Sequence, residues 1–385
     1  MTALRRLVPC VALALAMTTA PSSAQPVQEY VTGLLSPVRT LALEDGSLLV
    51  AESGLSRVNT GRVSLVDRDA RRFTVIDKLP SGFHGPTNDP TGPTAVLLFG
   101  HRLYILIGNG DISISGAGGI ERVNPAPSSP LFSSLLLLEL PPFAVDVPTG
   151  FQLPRSAHEA IANGNGVYLT NADGQSARLS RLVDFVDYVP MPRPDASDNV
   201  QISNPFSMVG SEARFHVADA ARNLIWTVSH VQTTPTVVTT FPPVTNTVPG
   251  NGPPMVDPVP ASVRTWGDDL IVSFLTGFPF GPGAARVARV DRRTGETTTL
   301  VPGLQTALDV LPVSSGRGQF YVVEYSSNFL AGAPGRLLLV DDPGRAPLEI
   351  ASGLLRPTSI SGNRRGDLFI TEIGMGRIVR VASPQ

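Results

Sequence analysis

The sequence predicts an all-β protein of many short strands, on three observations. Of 385 residues, 36 are glycine and 36 are proline, which is too many helix breakers for long helices. Hydrophobic residues make up 42% of the chain, which is too many for a disordered protein. A pattern of short strands and turns also recurs along the chain. Helical bundles, coiled coils and parallel α/β folds are therefore disfavoured.

The first residues have the pattern of a secretory signal peptide, which we place at 1–24. Arg5 and Arg6 precede the apolar run Leu7–Met17, and small residues follow it. About a dozen apolar residues are too few to span a bilayer of ~30 Å. We therefore expect a secreted or periplasmic protein without stable membrane insertion. The one cysteine, Cys10, lies in this leader, so the mature chain has no thiol or disulfide.

Residues 25–385 are expected to form a single domain, because one module repeats along them. Its second strand is the clearest part and occurs seven times, at Leu48–Ser53, Leu103–Gly108, Val167–Ala172, Phe215–Ala220, Leu270–Leu275, Phe320–Tyr325 and Leu368–Ile373. The copies begin 48 to 64 residues apart, close to the length of a four-stranded propeller blade. The sequence thus predicts a β-propeller of seven blades, with six as the alternative because two copies are degenerate.

The last copy ends without an outer strand, and the missing strand stands at the other end of the chain. Val27–Leu34 matches the outer strand Leu348–Leu354 in type and position. We expect this N-terminal strand to complete the final blade, which protects the sheet edges. Two segments, Gly108–Pro130 and Val231–Pro260, break the repeat and are predicted to be long loops on one face.

One segment carries a specific resemblance. Thr276–Ala284 (TGFPFGPGA), within Val259–Val290, is similar to the ScyD/ScyE family of exported NHL-like bacterial β-propellers. The stretch from Gly33 to Glu52 and the C-terminal part from Gly335 also match that family in kind. The resemblance implies an exported propeller, in a family without an established biochemical activity.

Four carboxylates and one amide recur at the end of the second strand, where a ring of oxygen atoms could hold a hard cation. These positions are Glu52, Asn171, Asp219, Glu324 and Glu372. The alternative is structural, because equivalent positions in a repeat tend to accept backbone N–H groups in the following turn. No cofactor is predicted outright; Ca²⁺ or another divalent cation is the one candidate.

The strand nearest the axis is the better place for a site, because it begins at the central channel. Aligning the copies predicts ligand-binding residues at the channel mouth: Arg39, Thr94, Ser207, Ser262 and Thr358. His158, Glu159 and Asp309 depart from the small residues typical of these positions. A histidine and carboxylates near the axis are the groups that acid–base catalysis or a metal would need. Alternatively, Arg39 and Glu159 neutralise each other in the channel.

The sequence does not decide whether the protein is an enzyme, and it favours a binding module. The first module reads Ser36-Pro37-Val38-Arg39, without the early glutamate that six-bladed lactonases use for their metal. The sequence contains no P-loop, dinucleotide, HExxH or G-x-S-x-G motif. We predict a monomeric propeller that binds a small molecule, a glycan or a protein, and no nucleic acid, since the net charge is −2. The alternative is a metal-assisted, lactonase- or esterase-like hydrolase at the central channel.

Overall fold

The structure, a computed structural model, describes residues 25–84, 89–142, 146–231, 233–313 and 318–382. The predicted leader at 1–24 lies outside the described residues. Within them, no helix is long and apolar enough to cross a lipid bilayer.

Short strands make up most of the structure. In the first half of the chain they are β1 (Val27–Val31), β2 (Pro37–Ala42), β3 (Leu48–Glu52), β4 (Gly61–Val66), β5 (Arg72–Leu79), β6 (Gly82–His84), β7 (Asp89–Thr91), β8 (Pro93–Phe99), β9 (Arg102–Ile107), β10 (Ser113–Ser115), β11 (Glu121–Val123), β12 (Ser134–Glu139), β13 (Phe151–Gln152), β14 (Val167–Thr170), β15 (Ser176–Asp184), β16 (Tyr188–Pro190) and β17 (Val200–Ile202). In the second half they are β18 (Pro205–Ser211), β19 (Arg214–Asp219), β20 (Leu224–Val228), β21 (Thr236–Thr240), β22 (Val244–Thr245), β23 (Met255–Val256), β24 (Pro260–Trp266), β25 (Asp269–Phe274), β26 (Ala285–Val290), β27 (Thr297–Leu304), β28 (Ala307–Pro312), β29 (Phe320–Glu324), β30 (Gly335–Val340), β31 (Leu348–Leu354), β32 (Pro357–Gly362), β33 (Asp367–Glu372) and β34 (Arg377–Ala382). A short helix, α1, spans His158–Ala162.

Six antiparallel sheets form the blades of a propeller. From the inner strand outwards they are β2-β3-β4-β5, β8-β9-β12-β15-β14, β18-β19-β20-β21, β24-β25-β26-β27, β28-β29-β30-β31 and β32-β33-β34-β1. Each inner strand packs against the inner strand of the next blade, and β32 packs against β2, so the ring is closed. The short strand β13 adds to blade 1 by pairing in parallel with β5. The all-β propeller is therefore confirmed.

The predicted number of seven blades is wrong, and the alternative of six is correct. The third predicted copy, Val167–Ala172, contributes β14, which is the outer strand of blade 2. Its side chains alternate in exposure, and Tyr168 is 76% exposed, whereas true second strands such as β3 are buried throughout. A short apolar strand has the same sequence pattern in both positions, so the pattern alone did not separate them.

The N-terminal strand closes the last blade, as the sequence predicted. β1 pairs antiparallel with β34, with Val27 opposite Val381. Closure also explains why the final copy has no outer strand of its own. Because β1 fills that place, the sixth sheet has four strands, as the sheets of blades 3, 4 and 5 do.

The inner strand of each blade begins at the end of the ring where the second strand ends, since the two are antiparallel. Pro357 at the start of β32, for example, faces Glu372 at the end of β33. We call this end the upper face. The loops between second and third strands and the linkers between blades both lie on it. Gly108–Pro130 is such a loop and carries the β10–β11 hairpin, whereas Val231–Pro260 contains the outer strand β21 as well as a loop hairpin.

Glycine and proline recur because neighbouring blades approach closely. Gly335 begins the third strand of blade 5, and a Cβ at this position would lie 2.6 Å from Pro357 Cδ in blade 6. Gly61 stands in the same relation to Pro93, also at 2.6 Å. No side chain fits between these atoms, so the repeated Gly-Arg pattern marks contacts between blades. The hydrophobic cores lie between adjacent sheets; one of them joins Tyr321 and Val323 of blade 5 to Ile360 and Ile370 of blade 6.

Candidate functional site

The recurrent carboxylates at the second-strand ends fasten the linkers between blades. Glu52, Asp219, Glu324 and Glu372 are fully buried. The glutamates of blades 5 and 6 accept the N–H groups of Gln305 at 2.7 Å and Leu355 at 2.6 Å. The remaining recurrent position, Asn171, caps a turn at the end of β14.

In three blades an arginine on the third strand compensates the buried carboxylate charge. Glu52 pairs with Arg62, Glu324 with Arg336 at 2.6 Å, and Glu372 with Arg377 at 2.6 Å. Asp219 instead receives Trp226 Nε1 at 3.0 Å and backbone N–H groups, and burial raises its pKa. These contacts match the structural alternative that the sequence left open.

Blade 4 shows why the carboxylate is there. Phe274 replaces it, and the linker residue that would donate its N–H is Pro258, which has no N–H group. The third-strand arginine, Arg286, is retained and stacks on the Phe274 ring, with its Cζ 4.2 Å from the ring centroid. In blade 4 the carboxylate and its donor are thus missing together, which supports a structural role for its counterparts; blade 2, with Ile107 at this place, also lacks the carboxylate.

At the axis, a buried ion pair joins two blades. Arg39 on β2 places Nη1 2.9 Å from Asp309 Oδ2 on β28, and the two side chains are 4% and 0% exposed. Arg39 Nη2 also donates to the carbonyl of Ala261 at 3.3 Å. Because Ala261 belongs to blade 4, directly opposite blade 1 in a ring of six, the Arg39 side chain crosses the axis.

Asp309 accepts hydrogen bonds from four groups and forms an ion pair with Arg39. The donors are Ser262 Oγ at 2.5 Å, Arg264 Nη2 at 2.8 Å and the N–H groups of Val310 and Ile360, each at 2.9 Å, in addition to Arg39. Burial opposes ionisation, but the guanidinium groups of Arg264 and Arg39 and these hydrogen bonds lower the pKa of Asp309 to about 2. Asp309 therefore stays ionised and fastens blades 1, 4, 5 and 6 together.

The residues predicted at the channel mouth are buried and bond to the neighbouring blade. Thr94 donates to the Pro205 carbonyl at 2.9 Å, Ser207 accepts from the N–H of Val263 at 3.2 Å, Ser262 donates to Asp309, and Thr358 donates to the Pro37 carbonyl at 3.5 Å. Arg39 and Asp309 complete this set, which we call the axial belt (Arg39, Thr94, Ser207, Ser262, Asp309 and Thr358). Its polar groups serve contacts between blades.

The sequence alignment of the inner strands was one residue out of register. Each inner strand has an irregularity after its first residue, for example between Pro37 and Arg39 and between Ala307 and Asp309. Arg39, Ser207, Ser262 and Asp309 therefore occupy equivalent places, each following the bulged residue. Thr94 and Thr358 are bulged residues themselves. All six inner strands share this bulge, so it does not account for the error, which lies in grouping Arg39 and Ser207 with the bulged residues Thr94 and Thr358.

The structure does not bring His158, Glu159 and Asp309 together. His158 and Glu159 lie on α1, which packs against the outer part of blade 2, whereas Asp309 lies at the axis. The expectation that Glu159 faces Arg39 is also wrong. The Glu159 side chain is 66% exposed and lies 4.0 Å from Arg155.

His158 is buried and hydrogen-bonded to a serine. Its Nδ1 lies 2.8 Å from Ser129 Oγ, which also accepts the N–H of Leu131 at 3.2 Å. Burial, with the nearby Arg155 charge, lowers the pKa of His158 to about 4, so the ring is neutral near pH 7. His158 and Ser129 are 0% and 1% exposed, so the contact serves to hold the loop after β9 against α1.

The other predicted chemistry, a divalent cation, stays a prediction. Among the described residues, no three His, Cys, Asp or Glu side chains are grouped so that they could hold a metal ion.

An open groove that the sequence pattern did not reveal lies on the upper face between blades 5 and 6. It has a volume of about 730 Å³. Three separate segments line it: the loop after β29, the linker before β32 and the turn after β33. Its apolar surface comes from Tyr325, Phe329, Leu355 and Met375, the last three of which are 36%, 41% and 52% exposed. We call it the blade 5–6 groove.

One charged residue lines the blade 5–6 groove. Arg356 has a φ of +53°, a left-handed conformation that is rare outside glycine, and it directly precedes Pro357. Its guanidinium stacks on Tyr325, with Cζ 5.5 Å from the ring centroid, and its Nε donates to the Tyr325 hydroxyl. Its Nη2 lies 3.7 Å from Asp89, which comes from the linker between blades 1 and 2. Its side chain is 52% exposed, so it can also reach a ligand.

Aromatic residues continue the groove toward blade 4. The rings of Phe280 and Phe329 have centroids 4.4 Å apart, and those of Phe278 and Phe280 are 6.2 Å apart. Phe278 is 59% exposed. Both Phe278 and Phe280 belong to the Thr276–Ala284 segment on which the family resemblance rests. The contact places that segment beside the groove.

A second cavity of about 500 Å³ lies on the same face, over blades 2 to 4. Its lining includes Glu121, Arg193, Asn199 and Asp257. These polar groups bond to one another or to their own loops: Asn199 Oδ1 accepts the Glu121 N–H at 2.9 Å, and Asp257 accepts Asn223 Nδ2 at 2.8 Å. The groups that would recognise a ligand here already have partners.

Comparisons with known proteins assign neither a family nor an activity to the chain. No family model matches the chain, and no curated protein matches it. Among solved structures, the chain is similar to a streptogramin B lyase, with 14% identity over 94% of this chain and 99% of that chain and a TM-score of 0.47. It is similar to a protein of Thermus thermophilus provisionally designated an oxidoreductase (glucose dehydrogenase), with 17% identity, 93% and 99% coverage and a TM-score of 0.46. It is also similar to the WD40 propeller domain of Doa1, with 13% identity, 94% and 98% coverage and a TM-score of 0.41. At these values no activity is carried over.

Proposed function

We propose that this protein is a binding module that takes a small, largely apolar molecule into the blade 5–6 groove. The observation that carries the proposal is the group of exposed apolar side chains around a groove of ligand size. Ligand sites have volumes of ~300–1,000 Å³ and are lined mainly by hydrophobic and aromatic side chains with few polar groups. The groove fits this description in volume and in lining.

Exposed apolar side chains at one place favour a ligand energetically. Phe329, Leu330, Leu355 and Met375 are 36–52% exposed, and Phe278 beside them is 59% exposed. Covering apolar surface contributes roughly 25 cal/mol per Å². Single exposed apolar residues are ordinary, but a group of them around a concavity is typical of binding sites.

The lining also suggests the chemistry of the ligand. The rings of Tyr325 and Phe329 offer faces for a flat ring, since offset and edge-on aromatic contacts are favourable. Arg356 offers N–H donors to an anionic or carbonyl group on the ligand. Its ion pair with Asp89 is exposed and long, at 3.7 Å, so replacing it with a ligand contact costs little. We therefore propose a ring-containing molecule with an acceptor group.

The axis is a weaker candidate, although the sequence pointed to it. Its predicted binding residues are buried and bonded between blades, and Arg39 crosses it. A molecule of the size that fills the groove would break these contacts, which join the blades.

We also propose that the protein is exported and that it is related to the ScyD/ScyE family. The leader pattern at 1–24 supports a periplasmic or secreted site of action. The resemblance of Thr276–Ala284 to ScyD/ScyE proteins supports a common binding role, because this segment lies beside the groove.

The test uses 1-anilinonaphthalene-8-sulfonate, a fluorescent anionic aromatic probe. We expect saturable binding to the native protein at one site. Phe329→Ser and Arg356→Gln should each weaken binding at least about tenfold, which corresponds to about 1.4 kcal/mol. Tyr168→Ser is the matched control, because Tyr168 is an exposed aromatic residue on the outer strand of blade 2. Wild-type affinity in both groove variants would refute the proposal.

A further inference from the structure

The axis holds more positive than negative charge. Arg39 and Arg264 both contact Asp309 Oδ2, at 2.9 and 2.8 Å. The side chains of Arg39, Arg264 and Asp309 are 4%, 18% and 0% exposed. Over the described ranges, Asp309 is the one carboxylate that either arginine pairs with, so the cluster has a net charge of +1.

Both guanidinium groups also retain unused donors. The Nε–H groups of Arg39 and Arg264 are inaccessible to solvent and have no acceptor among the described residues. Arg39 Nη1 has no aligned hydrogen bond either, although it lies 2.9 Å from Asp309 Oδ2. The other described contacts of Arg39 supply no negative charge. Its Nη2 donates to the Ala261 carbonyl, and its Cζ lies 6.0 Å from the centroid of the Phe206 ring.

An uncompensated buried charge is costly, and arginine cannot relieve it by losing a proton. The two Nη atoms share one carboxylate oxygen, so they lie no more than about 6 Å apart, close enough for like charges to repel in a buried site. Unpaired buried donors add a further penalty of about 1–3 kcal/mol each. An anion that reaches these donors would supply both a counter-charge and a hydrogen-bond acceptor.

We propose that the axis of this propeller binds a small monovalent anion of halide size, held by Arg39 and Arg264. A halide accepts hydrogen bonds from N–H groups in any direction and carries no hydrogen that would need an acceptor. This suits two guanidinium groups that already share a carboxylate. The site is separate from the blade 5–6 groove and does not depend on its function. The anion stabilises the contact among the inner strands of blades 1, 4 and 5.

The direct test is diffraction from wild-type crystals grown or soaked in sodium bromide, recorded at the bromine absorption edge. The expected result is an anomalous peak within hydrogen-bond distance of Arg39 Nε or Arg264 Nε. Water at this place, or bromide at surface sites only, would overturn the proposal. This test needs no variant, so it does not depend on whether a substitution folds.

The second test measures the unfolding midpoint against bromide concentration, with sodium gluconate keeping the ionic strength constant. The wild type should show a saturable rise in the midpoint. Arg264→Gln, which removes the excess charge, should lose the saturable part. Arg345→Gln should keep it, because Arg345 is 74% exposed. Equal responses in Arg264→Gln and the wild type, or no response in the wild type, would overturn the proposal.

Discussion

Arg39 on the first blade and Asp309 on the fifth form a buried ion pair of 2.9 Å across the axis of the ring. Both residues stand out in the sequence as departures from the small residues of the inner strands. Their charges are used in the contact between blades, which supports the proposal that the ligand site lies elsewhere. The following predictions test this division of roles.

Removing the axial carboxylate should destabilise the protein strongly. Asp309→Asn leaves Arg39 and Arg264 buried without their counter-charge, and breaking a buried pair in this way costs about 3–5 kcal/mol. Chemical denaturation of the wild type and the variant measures the change in the free energy of unfolding. The control, Asp342→Asn, removes an exposed partner of Arg345 and should cost under about 1 kcal/mol. Similar losses in the two variants would contradict a structural role for Asp309.

Equivalent arginines in blades 4 and 5 should respond differently to the same substitution. Arg336→Met leaves the fully buried Glu324 without its cation, so we expect a loss of about 3 kcal/mol or more. Arg286→Met removes a cation that stacks on Phe274 and has no paired carboxylate, so we expect a loss of about 1 kcal/mol or less. Urea denaturation of both variants decides this. If Arg286→Met costs as much as Arg336→Met, the interpretation of blade 4 is wrong.

Asp187 should make the protein less stable at neutral pH. Burial, with the nearby Asp184 charge, raises the pKa of Asp187 to about 6. The folded state therefore favours the protonated form, so this contribution to stability is greatest below the unfolded pKa of about 3.9 and falls as pH rises to about 6. Asp187→Asn should raise the free energy of unfolding at pH 7 by about 1–3 kcal/mol and change it little at pH 4.

Denaturation curves at several pH values check the Asp187 prediction. Asp173→Asn, at an exposed carboxylate in a turn of blade 2, is the control and should leave the profile unchanged. A destabilised Asp187→Asn protein at pH 7 would show that the ionised carboxylate is needed.

The buried contact between Ser129 and His158 should matter for stability. Ser129→Ala leaves the His158 Nδ1 without its 2.8 Å partner, and an unsatisfied buried polar group costs about 1–3 kcal/mol. Ser327→Ala, which removes an exposed hydrogen bond to the Pro334 carbonyl, should cost less than about 0.5 kcal/mol. Thermal and urea unfolding measure both. An unchanged Ser129→Ala protein would leave the contact without a structural role.

The sequence predicts the architecture well because each blade repeats the same pattern of strands, turns and contacts with the next blade. The second strands β3, β9, β19, β25, β29 and β33 all lie within predicted copies, give or take a residue at their ends, and the closing strand β1 is where the repeat required it. The error was β14, an outer strand whose apolar pattern resembles a second strand. Its exposure, such as that of Tyr168, depends on what packs beside the blade, which the local sequence does not contain.

The site was harder to predict for two physical reasons. Arg39 and Asp309 were found, but their partner Arg264 lies two residues further along its strand than Ser262 and joins the cluster through a long side chain. The blade 5–6 groove comes from three separate loop segments within residues 325–375. The signal available was that Phe278, Phe280 and Phe329 follow second strands, which places them on one face once the repeat is known.

The most direct test of the account is the position of ligand binding, and the methionines report it. Met375 lines the blade 5–6 groove, Met191 lines the second cavity and Met208 is buried on the inner strand of blade 3. Spectra of protein with ¹³C-labelled methionine methyl groups can be recorded during titration with 1-anilinonaphthalene-8-sulfonate. Binding in the blade 5–6 groove should shift the Met375 methyl signal saturably and leave the Met191 and Met208 signals unchanged. A shift of Met208 with Met375 unchanged would contradict this, because binding would then lie near the inner strand of blade 3 and outside the groove.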